Sequence, residues 1–228
     1  MSTNLISCYF IGLSASFISY NVDTHIAIPF FNGIATTVAY LYTRYSNRYK
    51  KQLLALSVVA AILFSFIPPI EKFFVLFFVP FILIYNHSKI SLRSIPFAKI
   101  FLISFCWSYL VTVFPNGTID FKKFLEFYMY IFILCIPFDI KDQEYDRLFS
   151  IKTIPMIIPA QLKIFAILIL LVLHYSLFIN SGESINYFII HSLIVFSAVI
   201  LSSRIKKHFF YVLLLDGSIF LRGLWQFF

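Results

Sequence analysis

Residues 160–180 read AQLKIFAILILLVLHYSLFIN, an apolar run whose only acidic or basic groups are Lys163 and His174. About twenty such residues cross the hydrocarbon core of a bilayer as one helix. Working outward, the same texture recurs at 4–21, 24–43, 52–70, 72–86, 97–115, 122–138, 186–203 and 208–228. The 72–86 stretch is short, and the Pro68-Pro69 pair before it marks a tight turn. No ten-residue stretch alternates apolar and polar residues, so membrane strands are excluded. The expectation is an all-α fold: a polytopic membrane helical bundle of about nine transmembrane helices, forming a single integral membrane domain over 1–228.

Composition points the same way. Hydrophobic residues make up 61% of the 228 and charged ones only 12%, with thirty Phe and a mean hydropathy of +0.90. A water-soluble chain carries about 25% charged residues, so the lipid bilayer is the expected surrounding. The net charge of +8 comes from bases scattered through short loops, a pattern of topology and headgroup contact and not of nucleic-acid binding. Arg44, Arg48, Lys50 and Lys51 follow the second run, Lys89, Arg93 and Lys99 the fourth, Lys141, Arg147, Lys152 and Lys163 the sixth, and Arg204, Lys206 and Lys207 the eighth. Opposite loops hold only Lys72, Lys122 and Lys123. The positive-inside rule then places the even-numbered loops and the N-terminus in the cytoplasm, and the C-terminus outside. Met1 to Asn4 carry no basic n-region, so 4–21 reads as a retained helix. Cys8, Cys106 and Cys135 sit singly in apolar runs, with no metal or disulfide spacing.

The densest charge in the chain follows the sixth run: Asp139-Ile140-Lys141-Asp142-Gln143-Glu144-Tyr145-Asp146-Arg147. Spacings of three and four put Asp139, Asp142 and Asp146 on one helical face. Like charges stacked this way repel. A divalent cation offsets that repulsion, and Mg²⁺ takes one or two carboxylates together with substrate phosphates. Lys152, six residues beyond Asp146, supplies a point charge for a phosphate. The plainer reading of the same residues is the solvated acidic end of a helix, and both readings stand at this point.

Asp142-x-x-x-Asp146, followed by Ser150-Ile151-Lys152-Thr153-Ile154-Pro155, resembles the second aspartate motif of the UbiA superfamily of intramembrane prenyltransferases. Ser150 stands where that family usually has Gly. The run Arg93-Ser94-Ile95-Pro96-Phe97-Ala98-Lys99-Ile100-Phe101, with Trp107, resembles the fourth loop and fifth helix of a bacterial branch, and Tyr211 through Asp216-Gly217 its final helix. The resemblance implies a helical bundle around a lipid-facing cavity. An isoprenyl diphosphate would bind there through Mg²⁺ and pass its prenyl group to an acceptor. It further implies Asp142 and Asp146 as catalytic metal ligands with Asp139 beside them, and Lys152, Arg93, Lys89 and Arg44 as substrate-binding bases.

The family's first acidic motif belongs at the end of the second helix. Here that place reads Ala39-Tyr40-Leu41-Tyr42-Thr43-Arg44-Tyr45, without a carboxylate. Two further readings follow. One is a non-catalytic member of the fold that binds a lipid or a membrane partner. The other, a transporter, would want ionisable groups at mid-helix, and Asp216 is nearly alone in that role. Arg222, close to the C-terminus, reads as a side chain snorkelling toward an interface, and His174 and His191 as packing residues.

Overall fold

Apolar runs punctuated by Pro, Gly and Asn satisfy their backbone groups locally, as short helices, and most of the described residues are helical in the computed structural model. The structure describes residues 3–20, 25–45, 47–85, 95, 98–148, 152–158, 160–179, 185–201, 204–205 and 207–225. In chain order the helices are α1 (Thr3–Ile18), α2 (Ala27–Tyr45), α3 (Lys50–Ser65), α4 (Pro69–Tyr85), α5 (Ala98–Thr112) and α6 (Phe121–Leu148). They continue with a single turn, α7 (Ile154–Ile157), then α8 (Ala160–Phe178), α9 (Ile185–Leu201), α10 (His208–Tyr211), a π-helical turn (Val212–Asp216) and α11 (Gly217–Trp225).

The expectation of a polytopic membrane bundle is corrected here. Among the described residues, no helix is long and apolar enough to cross a membrane. The helices other than α6 are at most 19 residues, and at 1.5 Å per residue that reaches only about 28 Å. The hydrocarbon core needs about 30 Å. At 28 residues α6 has the length, but it carries Lys122, Lys123 and Glu126 near its start and Asp139, Lys141, Asp142, Glu144, Asp146 and Arg147 toward its end. The apolar runs of the sequence extend through turns, as at Phe66–Pro68, where the helix has already stopped. The outer faces are nonetheless apolar. Leu54, Val58 and Ile62 of α3, Phe165, Leu168 and Val172 of α8, and Ile189, Leu193 and Ile200 of α9 are exposed, at the three-to-four-residue spacing of one helical face and its multiples.

Two features of the packing position the site. First, α1 and α2 touch backbone to backbone: a Cβ on Gly12 would lie 2.5 Å from the Gly33 carbonyl oxygen and would collide with Thr37. Ser16 Oγ donates to the Pro29 carbonyl across the same contact at 2.9 Å. Second, α6 is the central helix, packing against α5, α8 and α9. Its Tyr130, Ile131, Ile133 and Leu134 belong to the main core with Ile167, Val195, Tyr211 and Leu215. A smaller core joins Phe31 of α2, Phe78 of α4 and Tyr109 of α5, with the Phe78 and Tyr109 rings 4.3 Å apart.

Candidate functional site

The last turns of α2 and α4, the first turn of α5 and the far half of α6 come together around one cavity. At this junction lies Lys99, the second residue of α5. Two effects oppose a cation there: it is only 6% exposed, and the N-terminal end of a helix repels positive charge. Carboxylates from α6 offset both. Lys99 Nζ lies 2.6 Å from Asp139 Oδ1 and 3.4 Å from Asp146 Oδ2, and both acids are buried. Asp139 and Asp146 are seven residues apart, two turns along one face, so a single ammonium bridges them. Asp142, between them, pairs with its neighbour Lys141.

The setting divides these acids. Burial pushes the Asp139 carboxyl above its ordinary range, and Lys99 reverses that only in part. Burial also disfavours the Asp142 charge, but the hydrogen bond and charge of Lys141, with Arg44 and Lys99 beyond, hold that carboxyl below the ordinary range.

Beside this cluster opens a cavity of about 600 Å³, within the 300–1,000 Å³ typical of small-molecule sites. Its walls come from α1 through α6, the π-helical turn and α11, and they are apolar, with Ala39, Phe78, Trp107, Leu134 and Leu215 among them. Its charged lining is Arg44, Lys99, Asp139 and Asp216. Arg44 is exposed, with its guanidinium 5.1 Å from the Tyr40 ring centroid. Asp216 reaches the cavity from the π-helical turn. Such single-turn widenings of a helix occur often at functional sites.

Of the residues expected from the sequence, the structure joins Asp139, Asp142 and Asp146 with Arg44, which acts electrostatically on Asp142 from the end of α2. Lys152 is exposed and does not line the cavity. Lys89 and Arg93 lie outside the described residues. Oxygen donors from three aspartates suit Mg²⁺ in kind, yet as placed they do not fit a cation. Lys99 occupies the gap between Asp139 and Asp146, and Lys141 is on Asp142. Among the described residues, no group of three or more His, Cys, Asp or Glu side chains is arranged to hold a metal ion.

A second buried charge cluster sits at the other end of α6. Arg222 grips Glu126 with two hydrogen bonds, Nη1 to Oε1 at 3.1 Å and Nη2 to Oε2 at 2.7 Å. His174 Nε2 lies 2.6 Å from Glu126 Oε1. The guanidinium is boxed by Phe127, Tyr130 and Tyr187, with ring centroids at 4.8, 4.7 and 5.5 Å. Arg222 therefore does not snorkel; it is buried and paired. None of these three residues lines the cavity. Lys99, Glu126, Arg222 and His174 are residues of these two clusters that reasoning from the sequence did not place in a site. Glu126 had a signal: a lone acid in one apolar run needs a partner, and Arg222 and His174 were the bases in the others. Lys99 lay within the run that resembles the family's fourth loop and fifth helix, but nothing in the sequence marked it as the partner of the α6 acids.

No family model, curated protein or solved structure matches the chain.

Proposed function

We propose that the chain is a prenyltransferase of the UbiA kind, taking an isoprenyl diphosphate and transferring its prenyl group to an acceptor. The observation that carries this reading is the shape of the site: an apolar cavity of about 600 Å³ that ends in a cluster of opposite charges at the helix ends. An isoprenyl tail matches the walls, and a diphosphate matches Arg44 and Lys99. In the reaction the bond between the allylic carbon and the diphosphate oxygen breaks, its electron pair leaving with the diphosphate. The acceptor then supplies the pair for the new bond and releases a proton. The chain's own tasks are to hold the tail, to exclude water from the allylic cation and to stabilise the leaving group. Trp107, among the residues lining the cavity, brings an aromatic ring of the kind that stabilises cations. The exposed apolar faces of α3, α8 and α9 support a location at a lipid phase, the bacterial inner membrane, where such tails and their acceptors reside.

A second reading, lipid binding without catalysis, is favoured by one observation. Arg44 stands where the resembled family carries acids, and the α6 acids are already paired with lysines. A single experiment separates the two. Purified protein is titrated with labelled isoprenyl diphosphates of increasing chain length, with and without Mg²⁺, and release of diphosphate is followed. Affinity that rises with chain length, lost when Ala39→Trp fills the cavity, and diphosphate release on adding membrane lipid extract as acceptor, support the transferase. Binding without release leaves the non-catalytic reading. No binding at any chain length sinks both.

A further inference from the structure

Lys99 has an arrangement that a lysine holding a helix end does not need. A surface lysine at the start of α5 would point away from the helix N-terminus into solvent. This one is buried, stands between two carboxylates that are two turns apart, and also lines the cavity. An ammonium carries three donor hydrogens. Asp139 and Asp146 take two, at 2.6 and 3.4 Å, and Lys99 is also one of the residues that line the cavity. The position is the one in which a cation bridging the acids and a bound anion would sit. Arg44, whose planar fork suits phosphate, lines the same cavity.

We propose that the ammonium of Lys99 takes the place of a divalent cation in this chain. It neutralises Asp139 and Asp146 together and presents its remaining hydrogen to a phosphate oxygen of the substrate, so that diphosphate binding does not require metal. The inference rests on the prenyltransferase reading for its ligand, but it concerns which charge holds the headgroup. It also accounts for the missing acids at the end of α2. A site with its own fixed cation needs fewer carboxylates to hold one, and a base at Arg44 then adds to the anion's counter-charge instead of competing for metal.

The test uses inorganic diphosphate and Mn²⁺ as probes on the full-length chain. Diphosphate binding to the unaltered protein is measured by calorimetry in a metal chelator and in excess Mg²⁺, and Mn²⁺ binding by electron paramagnetic resonance without diphosphate. The expected result is diphosphate affinity within about threefold in the two conditions, and no tight Mn²⁺ site. In Lys99→Met, binding in chelator should fall at least tenfold. A Mn²⁺ site should also appear, because the ammonium between two buried carboxylates has been removed. Lys99→Arg should keep chelator binding. Diphosphate binding by the unaltered chain that is abolished by chelator, or a tight Mn²⁺ site there, overturns the inference while leaving the prenyltransferase reading standing. Absence of diphosphate binding in both conditions removes that reading, and the inference with it. Because the decisive comparison uses the unaltered protein, a Lys99→Met chain that fails to fold does not rescue the idea.

Discussion

The two ends of α6 carry the same ingredients, buried acids facing buried bases, and arrange them in opposite ways. At the Glu126 end both carboxylate oxygens are taken by one guanidinium, a histidine closes on Oε1, and three aromatic rings cover the rest. At the Asp139 end one ammonium is divided between two acids, its second contact stretched to 3.4 Å, and it borders a cavity. The ends are about 20 Å apart along the helix, thirteen residues at 1.5 Å each. The Glu126 group, with both carboxylate oxygens taken and none of its members lining the cavity, ties α6 to α8 and α11. A group with valences shared and bordering a cavity can bind. The difference separates a fastening from a site more sharply than the identity of the residues does.

The strongest way to break that comparison is to unfasten the closed end. Glu126→Gln keeps the shape and removes the charge, taking from the buried Arg222 its Glu126 counter-ion. Breaking a buried pair on one side typically costs about 3–5 kcal/mol, and denaturant unfolding of the purified chain should show a loss of that order. Replacing Glu126 and Arg222 together by Leu and Met should cost less than Glu126→Gln alone, since no stranded charge remains. The folded fraction of either variant should bind diphosphate as before. A single-variant loss below 1 kcal/mol would mean that the guanidinium has other support and that this end is no clamp.

The open end should respond in the other currency. Arg44 is exposed, and surface substitutions usually change stability by about 0.5 kcal/mol or less, so Arg44→Gln should leave unfolding almost untouched. Losing a charge-assisted contact to a phosphate, by contrast, costs about 1.5–3 kcal/mol, or roughly ten- to a hundredfold in affinity. Calorimetry with an isoprenyl diphosphate checks this. Unchanged affinity would move the headgroup away from the end of α2.

How much of this was legible beforehand differs between the two ends. The acidic face of α6 was legible because i, i+3 and i+7 are neighbours on any helix, so Asp139, Asp142 and Asp146 needed no tertiary knowledge. Arg44 was legible as the base at the end of the second run. Lys99 was hidden, because its meaning lies in the packing of α5 on α6, forty residues away in sequence from its nearest partner. Arg222 was misread for the same reason: snorkelling and burial share one local signature, and only Glu126, across the fold, decides between them. Membrane-crossing helices were expected from hydropathy, which does not register where a helix stops. The turn at 66–68 and the charges inside α6 are where that reading overran.

The smallest effect tests the open end at the resolution of one helical turn. Asp139 and Asp142 are neighbours on α6, yet their carboxyls move in opposite directions, Asp139 up through burial and Asp142 down through Lys141. Asp142, lower in the folded state than in the unfolded chain, contributes stability that is complete above the ordinary carboxylate range and disappears as pH falls through its depressed value. Asp139, higher when folded, acts the other way, and its ionisation takes stability away as pH rises from the ordinary value through the raised one. Asp142→Asn should therefore flatten the acid-side fall in stability. Asp139→Asn should leave that fall in place. Carbon-13 NMR of labelled aspartate carboxyls, followed against pH, should show Asp139 titrating above Asp142. The reverse order would mean that Lys99 serves Asp139 fully and Lys141 does not serve Asp142. An ammonium spent wholly on Asp139 would have less to share with Asp146 and with an anion, and the likeness between Lys99 and a bridging cation would then fail.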